Sequence, residues 1–346
     1  MPAREGRIGL DGRLSVTRLL IFEPSFRRVE AGLAAHRSAL APLVVEESGA
    51  ISLGGEPVSP EDARPDIAWA SGELYLSPAA RDFLVAMLKS PNLRWVQSAA
   101  AGYDHPMFAD IVRKGAKLTT SHGQAVGMAD YVLAGVLDHF QRWPERRAAQ
   151  SGRAWTRLPF REILGTNWLV IGFGSIGQEV AKRARGFGAR IVGVRRDSSA
   201  HPLADQIISL ADIQAVLPSI DVVVLCLPAS HETRHLANAD FFGAMKTDSV
   251  LVNVGRGSLV DEQALASALD RGTPAHALLD VFETEPLPQT SVLWTHPRVC
   301  LTAHASGESG GQQLRNQALF LNNLERFIAG RPLLNEADAD DVLDRE

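Results

Sequence analysis

Short apolar runs separated by polar stretches with helical spacing recur along most of the chain. In the first third the runs fall at 19–22, 43–45, 67–69, 93–96 and 117–119, a rhythm that predicts βα units of a parallel sheet. A longer pattern follows over 127–142, where Met128, Tyr131, Val132, Val136 and Leu137 share one helical face and Pro144 is expected to end the element. A second series of runs falls at 169–171, 191–194, 221–227, 250–254, 277–279 and 299–302. Their near-continuous apolar character fits strands covered on both faces. The last helix is expected over about 312–329, stopped by Gly330 and Pro332, with a mobile charged tail beyond it.

At roughly 150 residues per domain, 346 residues suggest about two domains, and 45% apolar residues suffice for a core in each. The net charge is -5, from 35 Lys+Arg and 40 Asp+Glu. No basic stripe advertises phosphate-backbone binding, so nucleic acid is not an expected partner. Arg4, Arg7 and Arg13 precede no long apolar stretch, and residues 1–14 read as a polar leader rather than a secretion signal. No apolar segment approaches the length of a membrane span, so no membrane association is expected and the protein reads as soluble and cytoplasmic. Cys226 and Cys300 each lie in an apolar run and read as core thiols of a reducing compartment. No metal site is expected.

Between the first strand and first helix of the second series stands Gly172-Phe173-Gly174-Ser175-Ile176-Gly177, a G-x-G-x-x-G inside a βαβ unit of dinucleotide-binding length. Glycine serves a tight turn at 172, close approach of a pyrophosphate at 174, and packing of helix on strand at 177. Gly172, Gly174, Ser175, Ile176 and Gly177 are therefore candidate cofactor-binding residues. A free ribose 2′-hydroxyl calls for an acid at the end of the next strand, but Val194 is followed by Arg195 and Arg196. Guanidinium groups there suit a 2′-phosphate, so the preferred cofactor is NADP(H). Asp197, twenty residues past Gly177, is the rival ribose acid if the strand runs further, and keeps NAD(H) possible.

Three downstream segments extend the pattern: Asn253-Val254-Gly255-Arg256-Gly257 with Val260-Asp261-Glu262, Asp280-Val281-Phe282-Glu283-Thr284-Glu285-Pro286, and Leu301-Thr302-Ala303-His304-Ala305-Ser306-Gly307. In this order behind a glycine loop they resemble the D-isomer-specific 2-hydroxyacid dehydrogenases, and the resemblance covers about 18–335. It implies two Rossmann-like, doubly wound parallel-sheet domains with an active-site cleft between them. The flavodoxin-like substrate domain would comprise 15–122 with 312–346, and the NAD(P)-binding domain 123–311. Carried over by position, the catalytic set is Arg256, Glu285 and His304.

The residue types suit reduction of a 2-oxo acid: a permanent cation for the carboxylate and carbonyl, and an imidazole polarised by a carboxylate to deliver the proton. The resemblance further implies that the loop 98–104 turns the backbone amides of Ala101 and Gly102 toward the substrate carboxylate. Val254, Gly255 and Asp280 would address the nicotinamide end, Gly307 would lie close to it, and Thr166 and Pro228 would edge the cofactor. Two departures stand out, Ala303 where the family usually has proline and Ala100 where it often has glycine. The implied reaction is NADPH-dependent reduction of glyoxylate, hydroxypyruvate or a similar acid to the D-2-hydroxy acid, by a homodimer pairing through about 128–142 and the region of Trp155. Leu74, Tyr75 and Trp294 are candidates for the side-chain pocket. A dinucleotide-sensing interaction protein on the same fold is the alternative.

Two motifs compete with this reading. His231-Glu232-Thr233-Arg234-His235 matches H-E-x-x-H, a zinc pattern only if both histidines share a helix face. Gly307-Glu308-Ser309-Gly310-Gly311 matches the G-x-S-x-G elbow, but no histidine follows His304 to complete a hydrolase order. His105 and His122 read as loop histidines without a catalytic role.

Overall fold

The computed structural model describes residues 16–103 and 105–343; the leader expected at 1–14, Asp104 and the last three residues lie outside the described residues. The chain divides into two compact units, 1–123 with 313–346 and 124–312.

The first unit carries β1 (Thr17–Phe22), α1 (Glu23–Leu33), β2 (Leu40–Val45), β3 (Ile51–Leu53), β4 (Glu56–Val58), α2 (Pro60–Ala63), β5 (Ile67–Ala70), α3 (Ala80–Lys89), β6 (Trp95–Ser98), α4 (Pro106–Arg113) and β7 (Lys117–Thr119). Its sheet runs β4-β3-β2-β1-β5-β6-β7. The strands from β2 to β7 in that order pair in parallel, whereas β3 and β4 add an antiparallel hairpin at one edge. The hairpin turns at Gly54 and Gly55, both left-handed at φ 61° and 91°, where glycine carries no Cβ penalty. Strand alternation explains the two cores. Leu20 and Phe22 of β1 enter one cluster, while Leu19 and Ile21 enter the other against Phe320 and Leu324.

The second unit carries α5 (Ala125–Phe140), α6 (Trp143–Ser151), β8 (Asn167–Ile171), α7 (Ser175–Gly186), β9 (Arg190–Val194), β10 (Gln206–Ile208), α8 (Ile213–Val216), β11 (Val222–Leu225), α9 (Ala239–Ala244), β12 (Val250–Asn253), α10 (Glu262–Arg271), β13 (His276–Leu279) and β14 (Val299–Leu301). Its sheet is wholly parallel in the order β10-β9-β8-β11-β12-β13-β14. Leu169 and Ile171 face one core and Trp168 and Val170 the other, as strands covered on both sides require. The chain then returns to the first unit with α11 (Gln312–Ile328) and α12 (Ala339–Leu343). Phe320 of α11 stacks on Trp69 with centroids 4.3 Å apart.

Three expectations are corrected. Pro144 does not follow a stop: the chain turns at Arg142, φ 58°, and Pro144 occupies the first turn of α6, where its missing N–H costs nothing. The charged tail is docked, with Ala337 N–H bonded to the Leu118 carbonyl at 2.8 Å, Lys117 paired with Glu336 at 2.8 Å, and Val342 of α12 buried. Cys300 is exposed on the edge strand β14, and Cys226 is half-buried just beyond β11, its thiol pushed up to about 12 by burial. Among the described residues no helix is long and apolar enough to cross a membrane.

Candidate active site

Every candidate catalytic or cofactor-binding residue of the second unit except Thr166 follows the carboxyl end of a parallel strand or opens the helix beyond it, the edge at which open α/β sheets bind ligands. The glycine loop follows β8, between which and β11 the strand order reverses. Gly172 is left-handed at φ 101°, and a Cβ there would come within 2.7 Å of the Cys226 carbonyl. At Gly177 a Cβ would strike the Gly172 carbonyl oxygen at 2.3 Å. At Gly174 it would meet nothing within 4 Å, and no side chain caps the first N–H groups of α7. Ser175 and Ile176 open that helix. A tight turn, an open approach and close helix packing thus fall on the glycines expected for each, and the loop fits a pyrophosphate at the α7 N-terminus.

Strand β9 ends at Val194. Arg195 folds over the loop beyond it, Nε donating to the Asp197 carbonyl at 2.6 Å and Nη2 to the Ser199 carbonyl at 2.9 Å. The Asp197 carboxylate accepts from the Ser199 N–H at 2.9 Å and its hydroxyl at 2.8 Å, bonds that hold its pKa below the usual carboxylate range. Arg196 is exposed.

At the end of β12, the buried Asn253 pins the turn that presents Arg256: its Nδ2 donates to the Arg256 carbonyl at 2.9 Å, and its Oδ1 accepts the Gly255 N–H at 3.1 Å. The half-buried Arg256 guanidinium donates from Nη1 to the Gly255 carbonyl at 2.8 Å. Gly257 admits no side chain, since a Cβ would lie 1.8 Å from the Phe282 carbonyl carbon. Val254 is buried, and its N–H donates to the Leu225 carbonyl. Glu285 and His304 meet directly: Glu285 Oε2 lies 2.7 Å from His304 Nδ1, and Oε1 accepts the Phe282 N–H at 2.9 Å. The His304 side chain remains 55% exposed, leaving Nε2 available to solvent or a ligand.

Asp280, 1% exposed, is spent largely on the segment that carries His304. Its Oδ1 accepts from the Thr302 hydroxyl at 2.6 Å and the Ala305 N–H at 2.8 Å, and Oδ2 from the Ser306 N–H at 3.0 Å. Of about four lone-pair positions one remains. Gly307 is half-buried against Gln124. Pro228 follows β11, its carbonyl accepting from the Thr233 hydroxyl at 3.1 Å.

Other expectations land elsewhere. Thr166 precedes β8, at the opposite sheet edge, where its buried hydroxyl bonds the Ile163 carbonyl and accepts from Trp168 Nε1. That edge borders an open cavity of about 940 Å³ lined by Arg161, Asp221 and Lys246, distant in topology from the glycine loop. Ala101 and Gly102 belong to the first unit, in the half-buried loop after β6, which is built without left-handed residues at 99–103. Leu74 is a core residue, while Tyr75 and Trp294 are exposed. The 231–235 segment is a turn with His235 at φ 50°, so its histidines share no helix face, and His235 pairs with Glu283. Among the described residues no group of three His, Cys, Asp or Glu is placed to hold a metal. His105 caps α4 by accepting the Met107 N–H. Asn253, Thr302 and Tyr131 are the residues whose part in the site sequence reasoning missed; for Asn253 and Thr302 the available signal was a polar side chain closing an apolar strand, and for Tyr131, inside α5, there was none.

Comparison with known proteins agrees with this arrangement. A family model described as D-isomer specific 2-hydroxyacid dehydrogenase, NAD binding domain, matches residues 133–306. A glyoxylate/hydroxypyruvate reductase B from Klebsiella pneumoniae is 32% identical over 278 residues, covering 76% of this chain and 84% of that protein. The crystal structure of a D-isomer specific 2-hydroxyacid dehydrogenase family protein from Aeromonas salmonicida superposes with a TM-score of 0.75 at 31% identity, covering 94% of this chain and 99% of that one. A D-isomer specific 2-hydroxyacid dehydrogenase from Xanthobacter autotrophicus, in complex with NADPH and MES, gives 0.74 at 28% identity, covering 95% and 99%. The chain belongs to the D-isomer specific 2-hydroxyacid dehydrogenase family and is an NAD(P)-dependent enzyme of that class.

Proposed function

We propose that the protein reduces a small 2-oxo acid to the D-2-hydroxy acid, with NADPH as preferred reductant, NADH as a possible one, and glyoxylate or hydroxypyruvate as substrate. The observation that carries the reading is the exposed imidazole of His304 held by Glu285 at 2.7 Å, on the sheet edge that also bears Arg256 and the glycine loop. The nicotinamide supplies hydride to C2 of the substrate when bound. Hydride addition leaves negative charge on the carbonyl oxygen, and Arg256 offsets it with a charge that does not titrate away. With Nδ1 turned to Glu285, His304 delivers the proton from Nε2. In the oxidation direction the neutral ring takes it back. The backbone amides of Ala101 and Gly102 address the substrate carboxylate in this reading.

Support for NADPH comes from Arg195 and Arg196 standing where β9 ends, and from the NADPH complex of the Xanthobacter relative. On the same reading Gly172, Gly174, Ser175, Ile176 and Gly177 hold the pyrophosphate, and Pro228, Val254, Asp280 and Gly307 border the nicotinamide half. Two copies pair through about 128–142 and the region of Trp155, a tryptophan 98% exposed. Following absorbance at 340 nm with NADPH or NADH against a panel of 2-oxo acids tests the proposal. Turnover of glyoxylate or hydroxypyruvate, faster with NADPH, is expected; binding of NADPH with no turnover of any 2-oxo acid would leave a dinucleotide sensor instead.

A further inference from the structure

His304 sits in the left-handed region at φ 51°, unfavourable for a residue with a Cβ. The preceding Ala303 leaves its own φ unrestricted, as a proline would not. The shape of this segment therefore depends on its hydrogen bonds, and they converge on one residue. The Asp280 carbonyl accepts the His304 N–H at 2.8 Å, and the Asp280 carboxylate accepts the N–H groups of Ala305 and Ser306 and the hydroxyl of Thr302.

Thr302 has one proton, and at 2.6 Å it goes to Asp280. Its oxygen, 2.7 Å from the Tyr131 hydroxyl, must then accept, so the phenol is the donor. Burial pushes the Tyr131 pKa up, which keeps that proton in place. Tyr131 belongs to α5, and its hydroxyl joins that helix, through Thr302, to the carboxylate around which the His304 segment is wrapped.

We propose that Tyr131 is a positioning residue for His304, acting through the Thr302 hydroxyl and the buried Asp280 carboxylate. The inference rests on His304 being the proton donor. Tyr131→Phe keeps the ring and its packing and removes only the donor; Thr302→Val removes the middle of the relay at nearly constant volume. The expected result is a fall in kcat of about tenfold for Tyr131→Phe, equivalent to about 1.4 kcal/mol, and of about 10- to 100-fold for Thr302→Val. NADPH affinity should stay within about twofold. Thr302→Ser should recover most of the lost kcat. Because the two groups act in series, the double variant should be little worse than Thr302→Val alone.

Wild-type kcat in both single variants would overturn the inference, as would losses that multiply in the double variant or a serine variant as impaired as the valine one. Should Tyr131→Phe not fold, the valine and serine pair decides alone. A parallel His304→Asn variant separates the levels. If it is inactive while Tyr131 and Thr302 are dispensable, only the relay is wrong; if it is fully active, the reading beneath the relay is wrong.

Discussion

Arg195 bears most directly on which cofactor is used. Its guanidinium lies over the 197–199 loop with bonds that a 2′-phosphate could replace or share, while Asp197 is occupied by Ser199. Arg195→Asp exchanges a cation for an anion at the strand end. It should lower kcat/KM with NADPH by about 10- to 100-fold, the kinetic size of a lost charge-assisted hydrogen bond, and leave NADH use the same or improved. An unchanged ratio of the two efficiencies would remove Arg195 from cofactor recognition. At this scale the sequence was legible where local backbone geometry demands one residue type, as at Gly172 and Gly177. It was not legible where a role depends on a distant partner. Thr302 and Tyr131 acquire their partners only when strands and helix are assembled, and Cys300 reads as core because an apolar run does not reveal that its strand lies at an edge.

Eleven of the strands were visible as apolar runs because both faces of each sheet are covered. The three missed strands, β3, β4 and β10, have three residues each, too few to establish a period, although Gly54-Gly55 was a hairpin signal. Pro144 marks a helix boundary whichever side the helix lies on, and the sequence pattern did not settle the side. The packing of α5 on the sheet brings together a pair no pattern anticipates: His139 of α5 stacks on His276 of β13 with ring centroids 4.3 Å apart. Burial, then the neighbouring His139, pushes His276 down to about 3 from an ordinary 6.5, and burial lowers His139 as well. Between those values the unfolded chain takes up a proton at His276 that the folded chain does not, so stability rises with pH across that window and is lost as pH falls through it. Denaturant midpoints should therefore drop from pH 7.5 to pH 4.5, and more steeply in the wild type than in His276→Leu. Equal pH dependence in the two proteins would show that this stack does not couple protonation to folding.

On the scale of the whole molecule, the α/β class followed from the alternation of runs and the two doubly wound domains from the family resemblance, whereas the docked tail followed from neither, because its contacts, Glu336 to Lys117 and Val342 into the core, join segments far apart in sequence. The family follows from three separated segments in order behind a glycine loop, and the fold places their strands β12, β13 and β14 side by side. In the proposed function one imidazole on that edge, oriented by a carboxylate, moves the proton of a 2-oxo acid reduction. The most direct test compares His304→Asn with the wild type by NADPH oxidation at 340 nm in the presence of the best 2-oxo acid, with NADPH binding followed by fluorescence titration. A loss of about 10²- to 10⁴-fold in kcat with NADPH affinity retained is expected; turnover equal to the wild type would remove His304 as the proton donor.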